Sequence, residues 1–353
     1  MVFRRKKMAH KNIPIFIPHL GCPNGCVFCD QRAISGQIEF CEADVERQLA
    51  EAVATLKDGD EAEIAFFGGS FTGIERGLMI RLLEMAQPYL ALGKVGSLRC
   101  STRPDYINDE ILSILSRYGV RTVELGIQST SDEVLTASKR GHTADVSWRA
   151  AAALKAAGFN FIGQMMVGLP ASNIEREIAT ARDICAMGAD GARVYPTVVF
   201  ADTELSDMSV SGAYEPLTEE DAVRRTAAVL EVFDAMRVPV IRVGLHSGES
   251  LSSPEKAVAG ARHPAMGELA MGELTFCRIC AEIEGFFENR EKLNSGETLA
   301  IFVPKGATSR AVGQNKRNIL RIREKYSAQY QINRIKIIEK SSLIGYNIMI
   351  DVL

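Results

Sequence analysis

The chain has 353 residues, 46% hydrophobic and 24% charged, with a net charge of −3. That is enough for one large and one small domain and is ordinary for a soluble globular protein. No apolar run approaches the ~20 residues that cross a bilayer, so no membrane partner is expected. Eight cysteines in a chain this long are no disulfide scaffold and point to a reducing compartment, hence a cytoplasmic location.

Residues 1–12 form a basic tail, with Arg4, Arg5, Lys6, Lys7 and Lys11 and no acid. Pro14 and Pro18 interrupt the apolar stretch that follows, which excludes a signal peptide. That stretch, 13–20, reads as a strand. Directly after it stand Cys22, Cys26 and Cys29, in a C-x3-C-x2-C run with Phe28 before the last thiol. Thiolates are the natural ligands of an iron–sulfur cluster, which normally takes four. Three close ligands with no obvious fourth leave one iron of a 4Fe–4S cluster open. A zinc knuckle is the competing reading and needs a fourth ligand at short range.

Beyond the cysteines, apolar strand-like runs at 63–67, 97–101, 122–128, 159–167 and 192–200 alternate with helical periodicity near 42–57, 74–91, 107–118, 131–157 and 173–187. Gly119, Gly158 and Gly188 each close a helical stretch before a strand, as C-cap glycines do. Six βα units predict an α/β fold, a partial (β/α) barrel of about six parallel strands, with functional groups at the strands' C-terminal ends. This barrel is expected over 13–236. A Gly/Pro-rich connecting segment and helix follow over 237–295, and a small basic α+β domain over 296–353.

The cysteine run, aromatic included, resembles the hallmark of the radical S-adenosylmethionine (SAM) superfamily. An ordered set of strand ends extends the likeness over about residues 12–235: Gly68-Gly69-Ser70, Ser101, Gln128, Lys139-Arg140-Gly141-His142, Gln164 and Gly168-Leu169-Pro170. As a set these are similar to the barrel of the Elongator catalytic subunit and, more distantly, to anaerobic coproporphyrinogen oxidase. The resemblance implies two cofactors, a 4Fe–4S cluster on Cys22, Cys26 and Cys29, and SAM. It also implies reductive cleavage of SAM to a 5′-deoxyadenosyl radical, with an electron donor such as flavodoxin or ferredoxin. Carried over residue by residue, Gly68, Gly69 and Ser70 would hold the methionine amino group, with Ser70 where the family has Glu. Gln128 would contact the ribose, Arg140 the methionine carboxylate, Gln164 the ribose surroundings, and Gly168 the adenine turn, while Ser101 would offer SAM a shorter hydroxyl contact where the family often has Glu. Phe28 would shield the cluster.

Tyr195, near the sixth strand end, is a candidate catalytic residue and equally a packed aromatic. His246 and His263 are candidate pocket residues in the Gly/Pro-rich segment, and Cys277 and Cys280 form a C-x2-C pair. Residues 305–340 hold ten Lys or Arg against Glu324 and Glu339. There Gly313, Lys316, Arg317 and Arg321 open a basic helix that loosely resembles a KH-type RNA-binding element and suits a phosphate backbone.

The implied function is a radical SAM enzyme acting on RNA, with tRNA base modification the favoured reaction. The chain ends too soon after the barrel for the Elongator subunit's acetyltransferase domain, so no acetyl-CoA chemistry is implied. Two alternatives stay open. One is a small-molecule oxidoreductase resembling coproporphyrinogen oxidase, disfavoured for polycarboxylate substrates by the acidic barrel sequence. The other is an iron–sulfur RNA-binding protein without SAM chemistry.

Overall fold

The structure, a computed structural model, describes residues 10–17, 20–22, 25–30, 40–57, 60–245, 251 and 253–353. The basic tail up to residue 9 and His246 lie outside the described residues.

Seven parallel strands make one sheet: β1 (His10–Phe16), β2 (Glu61–Phe67), β3 (Ser97–Thr102), β4 (Val120–Gln128), β5 (Asn160–Val167), β6 (Gly191–Pro196) and β8 (Val240–Val243). They lie side by side in chain order, as βα units must when each crossover returns to the adjacent position. The result is an open half-barrel. Its crossover helices are α1 (Glu42–Ala54), α2 (Arg76–Ala91), α3 (Asp109–Arg117), α4 (Asp132–Ala137), α5 (Ala144–Ala156) and α6 (Ile174–Ala186), with α7 (Glu204–Val210) and α8 (Glu219–Ala235) between β6 and β8. Gly119, Gly158 and Gly188 adopt positive φ of 79° to 80° after α3, α5 and α6, which is the conformation that ends a helix on glycine.

Three expectations are revised. The helical stretch 131–157 is two helices, because Lys139 and Gly141 take positive φ and Asp132 Oδ1 accepts from Ala144 N at 2.7 Å, fixing a new start for α5. The sixth strand run breaks at Thr197. Beyond it β7 (Val198–Phe200) leaves the sheet and pairs antiparallel with β9 (Ala257–Gly260). The Gly/Pro-rich connecting segment that precedes the helix within 237–295 holds regular structure: it supplies the seventh strand β8, then β9, before α9 (Met266–Phe287). Four residues with an arginine among them carry too little apolar periodicity to announce β8.

The helix-covered side of the sheet is apolar: Ile13, Ile15, Ile64, Phe66, Leu98, Cys100, Val123, Leu125 and Phe161 are buried there among helix residues. Alternation sends their neighbours to the other face, and these are polar or charged. Arg99 Nε donates to Glu63 Oε2 at 2.6 Å and its Nη1 to Glu124 Oε1 at 2.8 Å. Arg193 Nη2 donates to the same Glu124 oxygen at 2.9 Å, with its Nε 2.8 Å from Oε2. A buried chain of alternating charge thus runs across β2, β3, β4 and β6.

The C-terminal part is a three-stranded sheet, β11 (Ile335–Glu339), β10 (Leu299–Val303), β12 (Met349–Val352). Here β10 runs parallel to β11 and antiparallel to β12. Two helices, α10 (Thr308–Val312) and α11 (Arg317–Tyr330), follow β10. Helix α9 serves two cores: Ala270 and Leu274 pack in the barrel core, and Phe276, Ile279, Ile283 and Phe287 in the smaller one.

Removing the charge that Arg99 and Arg193 share leaves two guanidiniums facing each other in a buried site. Glu124→Ala is expected to lower stability by about 3–5 kcal/mol, read as a fall in the urea midpoint. Gly285→Ala, whose added Cβ meets nothing within 4 Å in α9, should raise stability by about 0.5–1 kcal/mol.

Candidate active site at the mouth of the half-barrel

The concave face opens into one cavity of about 700 Å3. Cys22, Cys26, Phe28 and Cys29 line its rim, with Gly68 and Gly69 from the end of β2, Ser101 from β3, Gln128 from the end of β4, Arg140 after α4, Gln164 from β5 and Tyr195 from β6. Residues as far apart in sequence as Cys22 and Tyr195 therefore meet at the C-terminal ends of consecutive strands.

The cysteine loop is held from both sides through one residue. Val27 N donates to Ser138 O at 3.3 Å, and Val27 O accepts from Leu205 N at 2.8 Å. The Val27 side chain is buried with Val199, Leu205 and Tyr214, so the flanking Cys26 and Phe28 are turned toward the cavity. Cys29 N closes the turn on Cys26 O at 3.0 Å. Gly68 and Gly69 are required by crowding: a Cβ on Gly68, at φ 96°, would stand 2.6 Å from Ile17 O, and one on Gly69 would strike Leu20 O.

Arg140 donates from Nη1 to Cys26 Sγ at 3.1 Å and from Nη2 to Gly126 O. Arg103, clamped on Asp105 by two hydrogen bonds of 2.8 and 2.9 Å, also donates to Arg140 O at 2.6 Å. These two cations beside the thiols offset the charge that ligating thiolates carry. Burial pushes the Cys22 thiol up, while Arg103 and Arg140 pull it down. Among the described residues, no three His, Cys, Asp or Glu side chains converge closely enough to hold a single metal ion.

The donor set fits the expected pair of cofactors. Three thiols stand on one rim, and three buried polar atoms of residues lining the same cavity lack a protein partner among the described residues: Arg103 Nη1, Gln128 Oε1 and Arg140 Nε. Such groups are costly unless something satisfies them. A ligand that brings a carboxylate, hydroxyls and an amine supplies partners of both signs.

Two residues assigned by resemblance do not line the cavity. Ser70 is buried, its hydroxyl 2.8 Å from Thr102 Oγ1 and accepting from Arg103 N at 3.1 Å, so it braces β2 against β3. Gly168 is locked behind the wall, donating to Glu177 Oε1 at 2.6 Å and accepting from Tyr214 Oη at 2.7 Å. Sequence reasoning in turn missed Asn12, Glu124, Arg193 and Arg242, which line the cavity's deeper part. The available signal was an isolated charge, Glu124, Arg193 or Arg242, inside an otherwise apolar strand run. Together the described lining carries Arg103, Arg140, Arg193 and Arg242 against one carboxylate, Glu124. The acidic barrel sequence therefore does not describe the cavity, and the argument against carboxylate substrates falls.

Elsewhere, His263 Nδ1 accepts from Ala265 N at 3.0 Å beside the start of α9, a local structural bond. Cys277 is exposed and Cys280 buried on α9, the latter in the smaller core. Arg321, expected to face RNA, is turned onto Glu273 (Nη2 to Oε1, 3.0 Å) with its guanidinium 3.7 Å above the Phe276 ring. Arg317 lies 3.5 Å from Glu220. Gly313 takes φ 74°, and Lys316, exposed, φ 62°.

Burial, reinforced by Arg140, lowers the His142 pKa from 6.5 to about 4. Between those values the unfolded chain binds a proton that the folded one does not, so stability falls as pH drops from 6.5 toward 4. His142→Gln should flatten that part of the melting temperature–pH curve relative to the parent; an unchanged slope would contradict the assignment.

Comparison with known proteins agrees with this geometry. The profile of the Radical SAM superfamily matches residues 16–184, and that of the Radical_SAM C-terminal domain matches residues 189–275; the two together take in well over half of the chain. An uncharacterized protein of Methanocaldococcus jannaschii is 27% identical over 244 residues, covering 65% of this chain and 74% of that protein. The tRNA uridine(34) acetyltransferase of Methanocaldococcus infernus is 35% identical over 128 residues, 35% of this chain and 23% of that one. Human Elongator complex protein 3 is 32% identical over 143 residues, 40% of this chain and 26% of that one. The aligned part thus spans about a quarter of the length of these last two relatives. The solved structure of the archaeal M. infernus Elp3 with an N-terminal deletion shares the fold, with a TM-score of 0.60 and 21% identity over 76% of this chain and 63% of that one. By the thiol-rimmed half-barrel and these matches, the chain belongs to the radical SAM superfamily of enzymes.

Proposed function

We propose that the protein is a radical SAM enzyme that modifies an RNA, with a tRNA base as the favoured substrate. The observation that carries the cofactor half is the gathering of Cys22, Cys26, Cys29, Gly68, Gly69, Gln128 and Arg140 on one cavity rim. Cys22, Cys26 and Cys29 would hold a 4Fe–4S cluster. Arg140 suits the methionine carboxylate of SAM, because a guanidinium matches a carboxylate's two oxygens. Gln128 suits the ribose hydroxyls, which can satisfy its unpartnered carbonyl oxygen. Gly68 and Gly69 let backbone groups approach the ligand closely. When bound, the cluster and SAM supply one-electron cleavage of the sulfonium and hydrogen abstraction from a substrate carbon. The chain's own part is to position the substrate carbon and to keep water from the cavity. The electron would come from a carrier such as flavodoxin or ferredoxin.

The RNA half rests on two supports. One relative, named as a tRNA uridine(34) acetyltransferase, is 35% identical to this chain over 128 residues. The C-terminal unit, in addition, exposes Lys305, Lys316, Arg317, Arg323, Arg334 and Lys336, a set suited to phosphate contacts. A small-molecule substrate is the second reading. It is favoured by the arginine-rich lining of the cavity, which suits a compact anion.

Anaerobically reconstituted and reduced protein is expected to form 5′-deoxyadenosine from SAM, and Cys22→Ala, Cys26→Ala or Cys29→Ala to abolish it. An active triple variant would exclude the assignment. Gly69→Ala should remove SAM binding in equilibrium dialysis, because its methyl group displaces the Leu20–Ser70 backbone contact. On the RNA side, affinity for tRNA should fall steeply with salt. The combined Lys316→Ala, Arg317→Ala, Arg323→Ala variant should flatten the log–log salt slope by about 1 per cation removed. Salt-independent or absent tRNA binding would favour the small molecule.

A further inference from the structure

Tyr195 lines the cavity from the end of β6, next to Arg193, and nothing so far gives it a task. It is two residues after Arg193 on β6, so both project to the concave face, and both line the cavity. Arg193 is fixed by Glu124 at 2.8 and 2.9 Å, and Glu124 is fixed in turn by Arg99. From that held position Arg193 Nη1 donates to Tyr195 Oη at 3.2 Å.

The direction of this hydrogen bond decides the rest. A guanidinium has donors only, so the phenol oxygen must accept, and its own proton is left over. Among the described residues no acceptor takes that proton. The phenol therefore offers an O–H polarised by an adjacent cation, a stronger donor than a free hydroxyl. The surrounding lining is rich in arginine, which also favours an electron-rich oxygen. Tyr195 is half-buried, unlike a packed core aromatic.

We propose that Tyr195 is a specificity-determining residue whose hydroxyl donates to an acceptor oxygen on the substrate, a carbonyl or a carboxylate, with Arg193 as its positioning residue. This rests on reading the part of the cavity lined by Arg193 and Tyr195 as the substrate site. The same geometry argues against a role for the phenol as a hydrogen relay: among the described residues the side chain bonded to it, Arg193, is a donor and offers no base for its proton.

The experiment measures the affinities of two probes, uridine for a carbonyl acceptor and sodium acetate for a carboxylate acceptor, by saturation-transfer NMR on the full chain. Wild type and Tyr195→Phe are compared, the latter keeping the ring and losing only the O–H. At least one probe is expected to bind wild type, and to bind Tyr195→Phe about tenfold more weakly. The probe that responds identifies the acceptor. Arg193→Lys should weaken the same probe, because an ammonium on a different stem does not reproduce the fork that orients the phenol. Equal affinities in wild type and Tyr195→Phe, or no binding of either probe, would overturn the proposal. Near-ultraviolet circular dichroism of the unliganded proteins checks that the fold is kept. SAM cleavage by wild type, measured in parallel, decides the cofactor assignment separately: its absence would sink that reading and leave the probe result standing on its own.

Discussion

Glu124 is the constraint around which the structure is arranged. A half-barrel needs a concave face that neither collapses nor fills with solvent-hungry groups. Here that face carries charge, and burial makes charge costly unless it is paired. One carboxylate on the central strand β4 accepts from Arg99 on β3 and from Arg193 on β6, with Glu63 on β2 completing the row. Register supplies the geometry: Ser101 pairs with Glu124, and Gln164 with Arg193. The row clamps four strands at fixed spacing and sets the cavity's floor as a preorganised polar surface. Such a surface needs no rearrangement when a substrate binds.

The rim is built on a different principle. The cysteine loop contributes little packing of its own, and Val27 ties it to Ser138 and Leu205. Arg140 then joins three things: the segment after α4, the β4 strand end through Gly126 O, and the Cys26 sulfur. Floor and rim are chemically distinct. The rim gathers thiols and unpartnered polar atoms and suits the cofactors of the superfamily; the floor gathers paired charges.

Much of this was legible in the sequence for physical reasons. The barrel strands announce themselves because each is apolar on the helix-covered face, and Gly119, Gly158 and Gly188 punctuate them because only glycine enters the left-handed region cheaply. The three thiols were legible because ligand spacing is local. What failed was non-local or short. β8 is four residues long with Arg242 inside it, so its membership of the sheet shows only through pairing with β6. Ser70 sits in the right motif, yet its hydroxyl is captured by Thr102, a residue 32 positions away. Arg321 lies in a basic run, yet Glu273 on another helix takes its charge. Net charge misled as well, because a sum over the chain says nothing about which side chains face the cavity.

The central claim is a cluster with an open coordination site at the rim. Its most direct test is electron paramagnetic resonance of the anaerobically reconstituted, dithionite-reduced protein, recorded with and without SAM. The account predicts a reduced 4Fe–4S signal that changes when SAM is added, because a ligand reaches the iron that no cysteine holds. A protein that binds zinc instead, or a cluster signal indifferent to SAM, would contradict it.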